Sequence, residues 1–551
     1  GVAAGSSVAL SADGRALACS VLRQGRRGLA VRALDSFEER ALPGTEAAAS
    51  PFFSPDGEWI AYFTENELRK VPLVGGTPST VCGVPPVARG AVWGPDGTIL
   101  FSPVFSMGIQ GVAAAGGRPR EVTTVDFAAG ESNHLLPEVL PGGRALLYTL
   151  WKGGDFGAAS VWAFSPGTGE RKRLIESATA PRYVAPGFLV FARGGALFGV
   201  RFDAERLTVE GEPVPMVDGV WTDRATGTAH YAVAGNGTLV YIPGADIIER
   251  RRLVWVDRQG RVQPLPLEPS FYADPRLSPD GRRVAVEALN DLWVYDLAEG
   301  TLIRATSRGV NQHPVWTPDG RHLTFSSSRG TTDPKLFWTD VEAGGEPEVL
   351  AAAGGVQFPG SWSPDGRTLA YAEIAGVPTE AGTDFDIRLL RSGATPPESV
   401  LVQTRFKEDQ PRFSPDGRAL AYVSDETGQL QVYLRPFPGA GRRLRVSVDG
   451  GTEPVWSRRG DELFFRSGRQ YFAVPVTTGD ALAVGRPALL FEGDFVVGSL
   501  TPGFQSYDVA TDGQRFLVVE RADDTPQPAR LDVVLGWTAE LQRRLAPRAA
   551  K

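Results

Sequence analysis

The sequence predicts an all-β fold of tandem β-propellers, on two observations. A Ser-Pro-Asp-Gly turn recurs along the 551-residue chain, and each copy precedes an alternating apolar run, a polar turn and further short apolar runs. The 65 glycines and 43 prolines lie in no low-complexity stretch, so they indicate many separate turns between short elements. Short strands that repeat about every 45 residues are typical of four-stranded antiparallel propeller blades.

The recurring turn gives the number of blades. Full copies occupy residues 54–57, 278–281, 363–366 and 414–417. Partial copies occupy residues 11–14, 94–97, 317–320, 457–460 and 510–513, a weaker copy occupies 140–143, and still weaker turns lie at 186–187 and 235–237. Together these positions predict about twelve blades.

Each residue of the turn has a physical role. Pro fixes φ at the second position, Asp bonds the local backbone, and Gly adopts the left-handed conformation. A Pro often stands three residues before the turn and an aromatic residue one before it, as at Pro314 and Trp316. We interpret the aromatic side chains as packing between blades, and Asp56, Asp280 and their equivalents as turn residues, not catalytic carboxylates.

Twelve blades predict two rings of six, because most propellers hold four to eight blades. Six of the turns precede residue 250 and six follow it. We expect an N-terminal propeller over residues 1–250, a C-terminal propeller over 251–541 and a tail over 542–551. Residues 254–256 either complete the first ring or open the second as a closing strand. The last strand is predicted at 531–535 and a short helix at 538–545.

Composition argues against two classes of partner. The net charge is -7 and no basic tract occurs, so nucleic acid is not expected as the main partner. No run of 18 apolar residues occurs either, so no transmembrane segment is predicted in this chain.

Two resemblances follow from these residues. The Ser-Pro-Asp-Gly turns resemble those of the TolB-like propeller family over nearly the whole chain. The C-terminal propeller region of bacterial eukaryotic-like serine/threonine kinases is similar at four stretches, which are residues 42–57, 253–258, 432–438 and 534–537. The kinase resemblance implies an extracytoplasmic sensing or interaction module, periplasmic or at the cell surface. It does not imply kinase activity, because the chain has no Gly-rich loop with a Val-Ala-Ile-Lys strand and no His-Arg-Asp loop.

No catalytic residue, cofactor or metal is predicted. The chain has no Gly-x-Ser-x-Gly elbow of the α/β-hydrolase type, and its four histidines include no pair at ligand spacing and no His-Glu-x-x-His sequence. We therefore expect a non-enzymatic binding, sensor or scaffold module. Two alternatives stay open: a hydrolase or lyase that acts on a sugar or lactone in a tunnel mouth, and a structural subunit of a larger assembly.

The predicted site lies in loops whose sequence varies from blade to blade but whose place in the repeat is fixed. The loop that enters each innermost strand ends just before the recurring Pro and opens onto the tunnel mouth. In the second ring these loops should form a polar funnel that binds a protein or peptide segment, a sugar or a small polar ligand. The predicted ligand-binding residues are Tyr272, Asp274, Gln312, His313, Glu408 and Asp409.

Overall fold

The structure is a computed structural model, and its described part is almost entirely β-strand. It describes residues 7–546 apart from 24–25, 65–66, 85–89, 104–107, 127–128, 153–155, 225, 245, 248–249, 330–333, 352–353, 375–384, 393–397, 440, 480–481, 497–502 and 523–529. No helix among these residues is long and apolar enough to cross a membrane.

The strands before residue 250 are numbered β1 to β25 in chain order. They are Val8–Leu10, Ala16–Arg23, Arg26–Ala33, Glu39–Ala41, Ala49–Phe53, Trp59–Phe63, Glu67–Pro72, Ser79–Gly83, Ala91–Trp93, Thr98–Phe101, Gln110–Ala113, Arg120–Glu121, Asn133–Val139, Leu146–Trp151, Ser160–Ser165, Glu170–Glu176, Thr179–Val184, Phe188–Arg193, Ala196–Asp203, Thr208–Asp218, Thr222–Asp223, Thr228–Ala229, Tyr231–Val233, Leu239–Tyr241 and Asp246–Ile247. Two 3₁₀ turns lie at Pro141–Gly143 and Phe156–Ala158.

The strands after residue 250 are numbered β26 to β51, and helix α1, Trp537–Arg544, follows them. They are Arg251–Asp257, Val262–Pro264, Tyr272–Leu277, Arg283–Ala288, Asp291–Asp296, Leu302–Arg304, Asn311–Trp316, His322–Ser327, Lys335–Asp340, Glu348–Ala351, Val356–Trp362, Thr368–Ile374, Phe385–Arg391, Glu398–Val402, Glu408–Phe413, Ala419–Ser424, Gln431–Pro436, Leu444–Arg445, Thr452–Trp456, Glu462–Ser467, Gln470–Thr478, Leu482–Val484, Ala488–Glu492, Tyr507–Val509, Arg515–Arg521 and Asp532–Val534.

These strands form antiparallel blades in two rings. The first unit holds β1–β4, β5–β8, β9–β12, β13–β16, β17–β20 and the sheet β23-β24-β51. The second holds β28–β31, β32–β35, β36–β39, β40–β43, β44–β48 and the sheet β27-β26-β50-β49. In the second unit the innermost strands β28, β32, β36, β40, β44 and β49 each contact the next, and β49 contacts β28, so the ring is closed. The all-β tandem propeller predicted from the sequence is therefore confirmed, with six blades in each ring of the described chain.

Each ring is closed by strands from distant parts of the sequence. In the second, β26 pairs with β50 from Arg251↔Arg521 to Asp257↔Arg515, so residues 254–256 belong to a closing strand of this ring. In the first, β51 pairs with β24 from Leu239↔Val534 to Tyr241↔Asp532. Such closure removes the open sheet edges that would otherwise be left between the first and last blades.

The division of the chain differs from the predicted one at its C-terminal end. The two compact units are Gly1–Ile248 with Pro526–Lys551, and Glu249–Thr525. The sequence division placed residues up to 541 in the second propeller and 542–551 in a tail. Residues from 526 onward belong to the first unit instead, because β51 completes its sixth blade and Leu541 of α1 is buried near Gly199 of β19. The predicted strand and helix themselves are confirmed at Asp532–Val534 and Trp537–Arg544.

The core lies between neighbouring blades. All six residues of β41 are buried, which shows that both faces of this strand are covered. Ala421 of β41 and Leu434 of β42 share one buried cluster with Leu463 and Val474 of the next blade. A blade with two apolar faces thus gains its stability from its neighbours in the ring.

The recurring aspartates are turn residues. Ser278 Oγ donates a hydrogen bond to Asp280 Oδ1 at 2.5 Å, and the same oxygen accepts the Arg282 N–H at 3.1 Å. Ser278 Oγ in turn accepts the Arg283 N–H at 2.9 Å, and Gly281 has φ +71°. The Ser278 hydroxyl is the main cause of the lowered pKa of Asp280. The same arrangement recurs in the turns of Asp56, Asp319, Asp365 and Asp416.

Candidate ligand site in the second propeller

A repeated β-bulge positions the residue before the recurring Pro. In β28, β32, β40 and β44 the pairing register shifts at this point, and Asp274, His313, Gln410 and Glu453 have φ between 50° and 58°. Residues other than Gly pay about 1–3 kcal/mol for this left-handed conformation, so each is held there by its surroundings. A bulge re-aims the side chain away from the normal strand alternation.

Two of these bulge residues contact each other. His313 Nδ1 lies 2.8 Å from Asp274 Oδ2, and Asp274 and His313 are 0% and 1% exposed. Arg276 Nη2 lies 2.7 Å from Asp274 Oδ1. The ring of Phe358 stands edge-on to the imidazole at 5.5 Å between centroids. Asp274 and His313, which the sequence predicted in one cluster, are thus brought together as a buried pair.

Gln312 hydrogen-bonds to the carboxyl group of Glu287, which was not among the predicted site residues. Its Nε2 donates to Glu287 Oε1 at 3.1 Å. Burial raises the pKa of Glu287 to about 7, and His313 is the largest influence in the opposite direction. Gln312 therefore lies beside the Asp274–His313 pair but is engaged within the protein.

Glu408 and Asp409 point to different partners. Glu408 accepts the Thr404 hydroxyl on Oε1 at 2.6 Å, and burial raises its pKa to about 7. Asp409 accepts the Gly503 N–H at 3.2 Å on Oδ1 and 3.1 Å on Oδ2. The two are 0% and 3% exposed, so they do not form an open acidic surface.

The segment 503–506 also hydrogen-bonds to Gln410 and Glu453, the residues before the recurring Pro in β40 and β44. Gln410 Nε2 donates to the Phe504 carbonyl at 2.9 Å. Glu453 Oε2 accepts the Ser506 N–H at 2.6 Å and the Ser506 hydroxyl at 2.7 Å. Polar groups of this segment are therefore the hydrogen-bond partners of Gln410 in β40 and Glu453 in β44.

Tyr272 is part of the core. Its hydroxyl donates to the Glu268 carbonyl at 2.9 Å, and its ring lies in a buried cluster with Leu253 and Val286. Burial raises its pKa to about 12. The structure thus joins Asp274, His313 and Gln312 but places Tyr272, Glu408 and Asp409 in separate surroundings, and ligand binding by the six stays a prediction.

A cavity of about 320 Å³ opens at the other end of the repeat, on the side of the Ser-Pro-Asp-Gly turns. We call it the turn-side cavity. Every blade of the second ring lines it at the same two repeat positions, two residues and one residue before the turn. These residues are Arg276, Val315, Ser361, Arg412, Val455 and Asp508, followed by Leu277, Trp316, Trp362, Phe413, Trp456 and Val509.

The aromatic residues of this cavity also join the blades, as the sequence predicted. Trp316 Nε1 donates to the Arg276 carbonyl at 3.0 Å, and Trp456 Nε1 donates to the Arg412 carbonyl at 3.1 Å. Both bonds run from one innermost strand to the previous one. These side chains are held by hydrogen bonds between blades and also form part of the cavity wall.

Arg276 and Arg412 of the innermost strands, with the exposed Arg458, supply positive charge to the cavity wall. Arg412 Nη1 donates to the Gly360 carbonyl and Nη2 to Gln505 Oε1. Burial and the neighbouring Arg276 lower the pKa of Arg412 to about 9. Asp508 supplies negative charge to the same wall and accepts the Leu277 N–H on Oδ2 at 2.7 Å.

Sequence reasoning missed these arginines, although a signal was present. The position two residues before the turn is apolar or small at Val315, Ser361 and Val455, and it is Arg at Arg276 and Arg412. A functional site is expected to break a structural repeat, and these charged residues break it inside a channel. The predicted site lies instead in the loops before the recurring Pro, at the other end of the strand.

The described part of the chain shows no cluster of potential metal ligands. Groups of three or more His, Cys, Asp or Glu side chains that could hold an ion do not occur among those residues.

Comparisons with known proteins give similarities of fold. No protein-family model matches the chain. Among solved structures it is similar to TolB from Agrobacterium tumefaciens, at 22% identity over 50% of this chain and 98% of that one, with a TM-score of 0.41. It is similar to TolB from Acinetobacter baumannii at 17% identity over 62% and 79% of the two chains, with a TM-score of 0.32. The tricorn protease is similar at 12% identity over 97% of this chain and 63% of that one, also with a TM-score of 0.32. TolB proteins are therefore among the structures that this chain resembles, while its fold is established by its own sheets and ring contacts.

Proposed function

We propose that this chain is a non-catalytic binding module, and that its second propeller takes a peptide segment of a protein partner in the turn-side cavity. The observation that carries the proposal is the cavity itself: about 320 Å³, lined by all six blades at equivalent positions. A ligand pocket typically combines apolar walls with a few placed polar groups, and occupies about 300–1,000 Å³.

The lining suits an extended segment better than a purely apolar group. Trp316, Trp362 and Trp456 offer flat apolar surface around the channel, and Arg412 and Asp508 offer charged groups within it. Aromatic and Arg side chains are the residues that most often carry binding energy at protein interfaces. A small polar ligand of similar chemistry would use the same groups.

The non-catalytic part of the proposal is supported by the surroundings of the Asp274–His313 pair. General acid–base chemistry needs a base within hydrogen-bond reach of substrate. Here the imidazole is 1% exposed, and the Phe358 ring lies beside it. The recurring aspartates are engaged in their turns by Ser hydroxyls and backbone N–H groups.

We further propose that the module acts outside the cytoplasm, as a periplasmic or cell-surface sensor or scaffold. Support comes from the sequence resemblance of residues 42–57, 253–258, 432–438 and 534–537 to kinase-associated propellers. Cell fractionation of the native host tests this part, and recovery of the chain with cytoplasmic markers would contradict it.

The binding proposal is tested by filling the cavity. Ser361→Trp adds an indole at a position that lines it, and Glu348→Trp adds the same group at an exposed position of β35. Peptides selected from a random displayed library on the wild-type chain should bind the Glu348→Trp variant equally. They should bind the Ser361→Trp variant at least tenfold more weakly. Equal binding to both variants, or turnover of a substrate that the Ser361→Trp variant abolishes, would contradict the proposal.

A further inference from the structure

We infer that the turn-side cavity of the second propeller is a carboxylate-binding site, with Arg412 as the contact group and Arg276 as the second positive charge. The inference rests on the proposed function and deepens it, because it names the chemical group by which the ligand is held. The shared chemistry is a single carboxylate, from a chain terminus or an acidic side chain.

Arg412 provides the direct contact. It lies on an innermost strand, is half-buried, and lines the cavity. Its two bonds, to the Gly360 carbonyl and Gln505 Oε1, are made by Nη1 and Nη2. A guanidinium group carries five N–H donors in a planar fork, so these two bonds leave further donors for a carboxylate.

The guanidinium group of Arg276 lacks hydrogen-bond acceptors within the described structure. It is 6% exposed and lines the same cavity, and none of its three guanidinium nitrogens makes a hydrogen bond within the described structure. The Asp274 carboxylate is close, at 2.7 Å from Nη2, but Oδ1 of Asp274 is likewise without a well-directed hydrogen bond. The contact is therefore an ion pair of poor hydrogen-bond geometry, and buried donors without acceptors are costly.

The charged residues that line the cavity favour an anionic ligand. Arg276, Arg412 and the exposed Arg458 line the cavity, together with the acidic Asp508. Behind the lining, Asp274 pairs with Arg276, and Asp274 and Asp409 both act electrostatically on Arg412. The lining itself thus holds more arginine than carboxylate groups, which suits an anionic group such as a carboxylate. A phosphate dianion would bring a second negative charge close to Asp508 in the same wall.

The first propeller has no such excess. Its equivalent cavity, of about 540 Å³, carries Arg182 and Glu138 at the same position of the repeat. Arg182 Nη1 lies 3.7 Å from Glu138 Oε2, so the charges compensate each other. The remaining residues at this position are Ala9, Phe52, Val92 and Ala232. The unbalanced arginines are thus a property of the second ring and not of the repeat.

Matched small molecules test the inference directly. Isothermal titration calorimetry of the full chain at fixed ionic strength compares N-acetylglycinate with N-acetylglycinamide, and the α-amide of N-acetylglutamate with that of N-acetylglutamine. We expect saturable binding of one or both acids and none of either amide. The acid that binds more tightly identifies the chain terminus or the acidic side chain as the source. Equal binding of acid and amide, or binding of neither, would overturn the inference.

Variants locate the site. Arg412→Gln should weaken binding of the acid at least tenfold, because charge-assisted hydrogen bonds to guanidinium are lost. Arg445→Gln, at an exposed position of β43, removes the same charge elsewhere and should leave binding unchanged. Ser361→Trp blocks the cavity without changing an arginine, so it tests the site even if Arg412→Gln does not fold. Unchanged binding in folded Arg412→Gln or Ser361→Trp, or tighter binding of inorganic phosphate, would overturn the assignment.

The two proposals fail separately. If selected peptides bind wild type but not Ser361→Trp, and their affinity is unaffected by amidation and by replacing acidic residues with amides, the carboxylate site is wrong and the binding module stands. If the small acids bind through Arg412 but no peptide does, the carboxylate site stands and the peptide partner is wrong.

Discussion

Asp274 and His313 contact each other across neighbouring blades, with His313 Nδ1 2.8 Å from Asp274 Oδ2. Both are bulge residues with positive φ, and both are buried. Asp274 also forms an ion pair with Arg276, so its carboxylate contacts both His313 and Arg276 in the interior of the ring.

Replacement of this carboxylate should destabilise the second propeller. Asp274→Ala leaves Arg276 charged and buried without its partner, and loss of one partner of a buried ion pair costs about 3–5 kcal/mol. Asp274→Asn keeps a hydrogen-bonding group and tolerates the left-handed conformation, so its loss should be smaller. Urea denaturation followed by fluorescence measures the free energy of unfolding.

A surface carboxylate gives the control for this prediction. Glu299→Ala changes an exposed turn residue and should alter stability by no more than about 0.5 kcal/mol. A loss from Asp274→Ala as small as that of the control would show that the pair contributes nothing to the fold.

A turn aspartate should behave as a local structural residue. Asp280→Ala removes an acceptor for the Ser278 hydroxyl and the Arg282 N–H, and should cost about 1 kcal/mol without altering ligand binding. Thermal unfolding and calorimetric binding of N-acetylglycinate are the two measurements. Loss of binding in a variant that is folded would show that the recurring aspartates have a functional role.

The fold could be read from the sequence because its signal is local. Each Ser-Pro-Asp-Gly turn carries its own hydrogen bonds, so the blade number depends only on neighbouring residues. Closure of the rings involves pairing between residues as distant as Arg251 and Arg521, which no local pattern contains. For the same reason the sequence did not predict that β51 pairs with β24 in the first ring.

The surroundings of the candidate site residues could not be predicted from the sequence, for a related physical reason. Residues at a bulge point away from the usual strand alternation, so the surroundings of Glu408 and Asp409 do not follow from their positions. The segment 503–506 hydrogen-bonds to Asp409 and Gln410 from almost a hundred residues away, with a separation of 94 in each case. Arg276 and Arg412 were visible as breaks in the repeat, but only their placement in a cavity gives them a role.

Stability should depend on pH through Glu408. Burial raises the pKa of its carboxyl group from 4.5 to about 7, so the folded protein is more stable when this group is protonated than when it is ionised. This contribution is complete below about pH 4.5 and is lost as pH rises through about 7. At pH 8 wild type should therefore have lost up to about 3 kcal/mol that Glu408→Gln retains, because one pKa unit is about 1.4 kcal/mol.

The measurement is a series of urea denaturation curves from pH 5 to pH 8 for both proteins. The difference in unfolding free energy between Glu408→Gln and wild type should grow with pH and level off above about pH 7. Glu348→Gln, an exposed glutamate of β35, is the control and should show a constant difference. A constant difference for Glu408→Gln as well would mean that this carboxyl group is ionised in the folded protein near neutral pH.

The C-terminal helix should stabilise the first propeller specifically. Leu541 of α1 is fully buried, and a Cβ placed on Gly199 of β19 would lie 2.7 Å from Leu541 Cδ2. Leu541→Ala should cost about 2–5 kcal/mol, as buried Leu→Ala changes do. Gln542→Ala, on the exposed side of the helix, is the matched control. Hydrogen–deuterium exchange should accelerate in β19, β20 and β24 of the Leu541→Ala variant and stay unchanged in β29 and β30. Equal acceleration in both units would contradict the assignment of residues 526–551 to the first propeller.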